Sequence, residues 1–517
     1  HSLTIHSISL SSDLLLKTND EFYKSDVLVT TWDRLKKPQK IQKIKQMPSA
    51  IVVGGGLAGL SAAHTLLENG IHVTMLDKNP FLGGNSTKAT SGINGANTKT
   101  QGVQGVEDSV DSFLEDIVRS ATGVKTGPMP EPYPLARVIA GESTGAVHWI
   151  QDSFGVPLDV VSRMGGHSNQ RCHRTLAGGK FPGMEITSSL MKKFEAMCDA
   201  EDGTCDLIIN ASARKLLKDN QGRVVGVEYT DGDGLLQRIE ASAVILATGG
   251  YGAGGAVNGS LLHKVRPDLV HLPTTNGDHS IGEGIQLALD IGAKAIGLQH
   301  VQVHPTGLVN PSDPNNRTKF LAAEALRGEG GIIVDCEGKR FCNDIGKRDY
   351  VTGRMWELGK APYRLILNTK ASSKMQWHCK HYCSRRVMKH FKNAAEVAKE
   401  IGITTSAMKA SLDSYNADAA AGANGTPDRF GKIYFLNAPF EMDEDYYVSF
   451  LFVCLFVFSA TSISSITCIT CTVPPVPPVP DRIQTDKLHF FRHFFPSFFP
   501  LTFARWKQKY THNRSLK

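Results

Sequence analysis

Apolar residues cluster most sharply between Ser49 and Asp77, and their spacing there changes from strand to helix and back. SAIVV is a short apolar run ending on Gly54-Gly55-Gly56, the pattern of a buried strand. An Ala/Leu-rich helix is predicted from Ala58 to Asn69, followed by a second strand, HVTML, which ends at Asp77. This βαβ pattern holds Gly54, Gly56 and Gly59 in G-x-G-x-x-G register. The first glycine makes a tight turn, the second admits a pyrophosphate to the backbone, and the third lets helix pack on strand. The helix N-terminus then faces the phosphates with its partial positive charge. Asp77, eighteen residues after Gly59, is placed to accept from a ribose hydroxyl, with Lys78 beside it. The glycine motif alone is a weak signal. Between a clear strand and a clear helix, with an acid at this distance, it is a strong one.

Periodicity then lapses over FLGGNSTKATSGINGANT, from Phe81 to Thr98. Such a segment could be a plain loop, yet its amides and small hydroxyls suit a diphosphate and the edge of a flat ring. Gly84, Asn85, Ser86, Ser91 and Gly92 are the candidate contacts. Amphipathic helices are predicted at Val110 to Arg119 and Ser143 to Phe154. A β-rich stretch follows, and its last apolar strand runs into Thr248-Gly249-Gly250, a second close approach of backbone to cofactor. Glu283, between Gly282 and Gly284, opens another helix, and further helices are predicted around Lys392 to Ile401 and Thr404 to Ala419.

From His300 to Tyr350 the chain collects His304, Glu324, Arg327, Arg340 and Arg348 among glycines and short apolar runs. Guanidinium forks match carboxylate oxygens two at a time, so this density suits a substrate bearing carboxylates. The plain alternative is a glycine-rich turn region with surface salt bridges, and the dinucleotide pattern upstream favours the binding reading.

At Val448 the pattern breaks into VSFLFVCLFVFSATSISSITCITCTVPPVPPVP, with no charge between Asp445 and Asp481. Taken literally, this is a membrane span of about 20 residues. Its second half is rich in Ser, Thr and Pro, however, and Val-Ser can be encoded by a splice-donor sequence. Unspliced or mis-called coding sequence is the preferred reading, and no membrane association is expected.

A chain of 517 residues exceeds one ordinary core, and 49 glycines with 21% charged residues fit an α/β enzyme with many tight turns. The net charge of +7 is carried almost wholly by residues 481–517, so the folded body has no basic footprint for nucleic acid. Ten scattered cysteines do not form a disulfide framework. His378, Cys379, His381 and Cys383 in WHCKHYC have a spacing that could hold zinc, but no second ligand pair stands nearby, so no metal is expected. The chain begins with His, and its first 46 residues, five of them acidic, read as leader, extension or artefact rather than as a secretory signal or transit peptide.

The motifs VVGGGLAGLSAA, GGNSTKATSGINGANT, ILATGG, VHPTG, EALRGEGG and KRFCNDIGKRD together resemble the soluble, FAD-dependent fumarate reductases of the succinate dehydrogenase/fumarate reductase flavoprotein superfamily, over residues 48 to about 447. GGNSTKATSGINGA points to the soluble branch. Asn85-Ser86-Thr87 stands where the respiratory subunits attach FAD through a His, so the resemblance implies non-covalent FAD. It implies an α/β fold: a Rossmann-like FAD-binding domain at 47–298, an inserted α+β capping domain at 299–447, and a disordered or aberrant tail at 448–517. By the same resemblance His304 contacts a substrate carboxylate, Arg348 is the general acid, and Glu324 with Arg327 relays protons to it. The implied reaction adds hydride to one alkene carbon of fumarate and a proton to the other, giving succinate. Met164 falls where the family places an apolar contact, and plain packing is the simpler reading for it. Beyond the Tyr447 point the family supplies a second substrate His, a second carboxylate-binding Arg and a Gly-rich stretch that closes over FAD. None of these follows Tyr447 here. Another unsaturated acid as substrate, and an inactive fragment with half a clamp, are the alternatives. The electron donor stays open among reduced flavin, NADH and a partner protein, and the compartment between mitochondrion and cytosol.

Overall fold

The computed structural model describes residues 48–122, 134–176, 179–200, 203–455 and 467–469. Ser49–Val53 (β1) runs into the helix Leu57–Glu68 (α1), which returns to His72–Leu76 (β2). β1 pairs in parallel with β2 and with Ala243–Leu246, and β2 pairs in parallel with Cys205–Ile208 (β3). Calling Ala243–Leu246 β4, and Thr467–Ile469 β11, the five-stranded sheet has the order β11-β4-β1-β2-β3. Only β11 is antiparallel to its neighbour.

The apolar run of β1 is explained by burial on both faces. Ala50 and Val52 join a core with Leu60, Leu66 and Phe194, the last on the long helix Pro182–Asp199 (α2). Ile51 and Val53 point the other way, into a core with Leu216 and Val227 of a three-stranded antiparallel sheet over residues 212–240 and Ala288 of the helix Glu283–Asp290 (α3). Each buried Ile, Val or Leu contributes on the order of 2 kcal/mol, and alternation sends that contribution to both layers.

A second, six-stranded sheet holds Val303–Leu308 (β5), Phe320–Leu321 (β6), Ile332–Val334 (β7), Tyr363–Leu367 (β8), Lys389–Phe391 (β9) and Tyr446–Leu455 (β10). Its order is β6-β5-β10-β8-β7, with β9 also on β10. Every pairing in it is antiparallel.

The boundary expected at Tyr447/Val448 falls inside β10, between two residues paired on β8. Residues 448–455 continue the strand along β8 and then along β5, where Leu451 lies opposite Leu308 and Cys454 opposite His304. Val448 joins one apolar core and Leu451 and Val453 another, with Phe452 exposed, so the change in sequence character at Val448 does not mark a change in structure. Val448, Ser449 and Leu451 are buried. The rest of the expected tail lies outside the described residues, apart from 467–469. Among the described residues no helix is long and apolar enough to cross a membrane.

Candidate active site

One cavity of about 710 Å³ opens between the glycine turn after β1, the 84–94 loop, the Thr248–Gly250 segment and the second sheet. Gly54, Gly56, Asp77, Lys78, Gly84, Asn85, Ser86, Ser91, Gly92, Thr248, Gly249, Gly250 and Glu283 line it, and so do His304, Glu324 and Arg348. Gly59 and Arg327 stand behind this lining.

The glycines divide by what surrounds them. Gly54 has φ +105°, and a Cβ there would sit 2.5 Å from Ala247 O. A Cβ on Gly59 would lie 1.8 Å from Gly54 O. Both are required by the protein's own packing, Gly54 where the turn passes the Ala247 backbone and Gly59 where α1 packs against the turn. Gly56 differs: its φ is −74°, and the nearest protein atom to an added Cβ is Ser86 Oγ at 3.5 Å. Among the described residues nothing forbids a side chain at Gly56, so its bareness leaves room for a ligand at the α1 N-terminus. Gly56 has no side chain to cap that terminus, the Leu57 amide is held by Ser86 Oγ at 3.0 Å, and the positive end of the helix favours an anion there. A dinucleotide diphosphate therefore fits this corner.

Several contacts around that corner are made by the protein itself. The Leu57 amide donates to Ser86 Oγ at 3.0 Å. Asn85 donates to Asn276 Oδ1 at 3.0 Å and accepts from the Gly277 amide at 2.8 Å, so the loop is fastened to the 274–280 segment. Asp77 Oδ2 accepts from the Gly55 amide at 2.8 Å, and Oδ1 accepts from the Asn79 amide at 2.8 Å. Asp77 thus first ties the turn to β2, and Oδ2 keeps a lone pair for a hydroxyl. Lys78 and Glu283 pair with each other across the cavity.

The other group of residues is built on β5 and two helices, Glu324–Gly328 (α4) and Arg348–Leu358 (α5). The pairing of β5 with β10 shifts register between His304 and Gly307, a bulge of the kind that re-aims a side chain. The Thr306 amide donates to His304 Nδ1 at 3.1 Å, which places the proton of the neutral ring on Nε2. Burial, with Arg348 nearby, holds His304 well below the ordinary histidine range, so it is a neutral donor. Arg348 opens α5 and donates through Nε to Glu324 Oε2 at 2.7 Å and through Nη1 to Gln302 Oε1 at 2.7 Å. Glu324 Oε1 accepts from the Gly165 amide at 2.9 Å. Burial alone would raise the Glu324 carboxyl, but Arg348 and Arg327 overcome it and hold the group far below the usual carboxylate range. Glu324 is an anion at rest.

Arg327 is buried, with Nη1 donating to Asp344 O at 2.7 Å and Gly346 O at 3.1 Å. Its Nη2 lies 3.6 Å from Glu324 Oε1. It therefore holds the turn that leads into Arg348 and adds charge beside Glu324. Ser91, a candidate cofactor contact, also accepts from the Glu324 amide at 2.9 Å, joining the 84–94 loop to α4.

Arg340 does not belong to this cluster. It is buried against Asp344 and Asp428, each at 2.9 Å, with its guanidinium 4.8 Å from the Tyr415 ring centroid. The run of cations seen in the sequence thus splits between the cavity and an internal network. Met164 is buried in the apolar core of the second sheet. In WHCKHYC, which forms the helix Gln376–Ser384 (α6), His378 Nε2 lies 3.0 Å from Thr90 O. Among the described residues no three His, Cys, Asp or Glu side chains converge on a metal-sized site. Gln302 and Asn276 were missed, because a neutral amide carries no signal in a sequence until its partner is placed.

Burial also lowers His167 and His378 from 6.5 to about 4. With His304 they make three imidazoles kept neutral by the fold. As pH falls below 6.5 the unfolded chain takes up protons first, so their contribution is full above that value and is lost as pH falls toward about 4. Thermal unfolding across this window should show a falling midpoint, and a constant midpoint would contradict these burial-driven shifts.

The family model described as an FAD binding domain matches residues 49–452. A fumarate reductase of Schizosaccharomyces pombe is 40% identical over 400 residues, 77% of this chain and 75% of that protein. Fumarate reductase 1 of Saccharomyces cerevisiae is 38% identical over 304 residues, 58% of this chain and 62% of that protein. Among solved structures, the open conformation of a flavocytochrome c3 fumarate reductase superposes with a TM-score of 0.57 at 25% identity, covering 87% of this chain and 73% of that one.

Proposed function

Because the chain belongs to the family of FAD-binding flavoproteins matched over residues 49–452, we propose that it reduces fumarate to succinate, with non-covalently held FAD in the cavity and Arg348 as the proton donor. The observation that carries this reading is the pairing of Arg348 Nε with Glu324 Oε2 at 2.7 Å, on a cavity wall that also bears His304. The relatives named for fumarate reduction support the same substrate. Residues 47–298 form the flavin-binding part, and 299–447, carried on through Leu455, the substrate part.

FAD, when bound, supplies the hydride. The Gly54–Gly56 turn and the N-terminus of α1 would hold the diphosphate, Asp77 would accept from a ribose hydroxyl, and Lys78 and Glu283 would flank the ligand. His304 donates its Nε2 proton to a substrate carboxylate without adding a full charge. Hydride addition at one alkene carbon builds negative charge at the other, and Arg348 stabilises that charge where it forms. A guanidinium is a poor acid in water, because neutral guanidine is a strong base and water a weak one. A carbanion-like carbon is far more basic than either, so the proton moves from the guanidinium to that carbon, completing succinate. Glu324 keeps Arg348 oriented and, once Arg348 has given up its proton, takes one from Arg327, whose Nη2 lies 3.6 Å from Oε1, and passes it to the neutral guanidine, Arg327 being reprotonated in turn from bulk water.

The test is succinate formation by the FAD-loaded protein under anaerobic conditions, with a reduced dye as electron source. Fumarate should be turned over far faster than crotonate, which lacks one carboxylate. Equal rates with the two acids would remove the dicarboxylate reading.

A further inference from the structure

Two thiols far from the relay residues are brought together by the fold. Cys198 lies in the last turn of α2 and Cys205 opens β3, and their sulfurs stand 2.7 Å apart. Cys198 is half-exposed and Cys205 buried. Three buried thiols are less suited to exchange, since burial pushes Cys172 and Cys379 up to about 12 and raises Cys342 as well, leaving little thiolate to react.

We propose that Cys198 and Cys205 form a reversible disulfide, installed by a low-molecular-weight disulfide such as oxidised glutathione, that fastens the end of α2 to the edge of the five-stranded sheet. The half-exposed Cys198 thiolate attacks one sulfur of the glutathione disulfide and expels a glutathione thiolate. Cys205 then attacks the Cys198 sulfur of the mixed disulfide and expels the second. Two electrons and two protons pass from the cysteine pair to two glutathione thiols, and one protein S–S bond replaces the glutathione S–S bond.

The position of the pair gives the bond a consequence. α2 is a single rigid helix, and its first turn forms part of the cavity wall. Gly183 and Ile186 line the cavity, and the Gly183 amide donates to Ala89 O at 3.0 Å in the 84–94 loop. β3, at the other end of the connection, pairs with β2, the strand that leads to Asp77. Closing the 199–204 connection with a covalent bond therefore ties two walls of the flavin cavity to each other at their base. Oxidised protein should hold FAD longer than reduced protein.

The experiment incubates the FAD-loaded protein with oxidised glutathione without denaturant, blocks remaining thiols with N-ethylmaleimide, and maps peptides by mass spectrometry. A linked Cys198–Cys205 peptide that disappears on treatment with dithiothreitol is expected before any other cross-link, and Cys198→Ser or Cys205→Ser should abolish it. Wild-type mapping suffices if either variant fails to fold. Recovery of both cysteines as maleimide adducts, with glutathione or cross-links elsewhere, would overturn the proposal. FAD release should be several-fold slower from the oxidised form, and equal release rates would overturn the link to the cavity. Peptide mapping requires no turnover, so its failure is distinguishable from failure of the fumarate reading.

Discussion

Replacing Arg348 with Gln should lower turnover with fumarate by roughly 10³- to 10⁴-fold, the upper part of the range for loss of a positioned general acid, while FAD remains bound. Gln can donate to Gln302 Oε1 and Glu324 Oε2 only in part, carries no charge, and has no proton acidic enough to give to carbon. The same change removes one of the two cations that hold Glu324 ionised. Arg348→Lys keeps the charge, but an ammonium cannot reproduce a planar fork that reaches Glu324 through Nε and Gln302 through Nη1. Lys should therefore lose most of the activity as well. The split between kinetic constants separates two roles: loss confined to KM would make Arg348 a carboxylate anchor, whereas loss in kcat marks it as the acid.

Replacing Gly56 with Ala should weaken FAD binding by about 100-fold, equivalent to about 2.7 kcal/mol, without lowering the unfolding midpoint of the apoprotein. The prediction rests on the contrast with Gly59. A methyl on Gly56 finds its nearest protein neighbour at 3.5 Å, whereas one on Gly59 meets a backbone oxygen at 1.8 Å. Gly59→Ala must push α1 off β1 or distort the turn, and it should destabilise the apoprotein by about 1–3 kcal/mol or more. Flavin titration and apoprotein melts on both variants would tell a glycine reserved for a ligand from one reserved for packing. If Gly56→Ala melted early, or bound FAD normally, the assignment of the pyrophosphate to this corner would fail.

The glycine turn between β1 and α1 was legible in the sequence because backbone geometry dictates it. A turn that passes close to a helix start needs glycine at fixed intervals, and the flanking strands are short, apolar and two-sided. The strand HVTML was read to the residue, and α1 is displaced by one residue at each end. The cluster of His304, Glu324 and Arg348 was legible only as a composition. Arg340 and Arg348 look alike in the chain, and what separates them is the set of carboxylates that folding brings close: Asp344 and Asp428 for one, Glu324 for the other. Asp428 lies 88 residues from Arg340, beyond any local pattern. Gln302 was invisible for a related reason, since its function is to accept from a guanidinium placed 46 residues away. The boundary expected at Val448 fell inside β10 because an uncharged apolar run after a charged segment does not show on its face that it continues a strand, and its pairing with β5 and β8 does. Ser91 shows the remaining limit. Its place in a glycine-rich loop suggested a ligand, and its hydroxyl also holds the first turn of α4.

The account turns on Arg348 delivering a proton in a cavity that holds FAD, and rapid mixing tests that most directly. The FAD-loaded protein and its Arg348→Gln variant would be reduced anaerobically and mixed with fumarate, following flavin absorbance and succinate together. Rapid reoxidation with matching succinate in the wild type, and a variant that keeps its flavin bound and reduced, is the predicted result. A variant that reoxidises and forms succinate at the wild-type rate would contradict it.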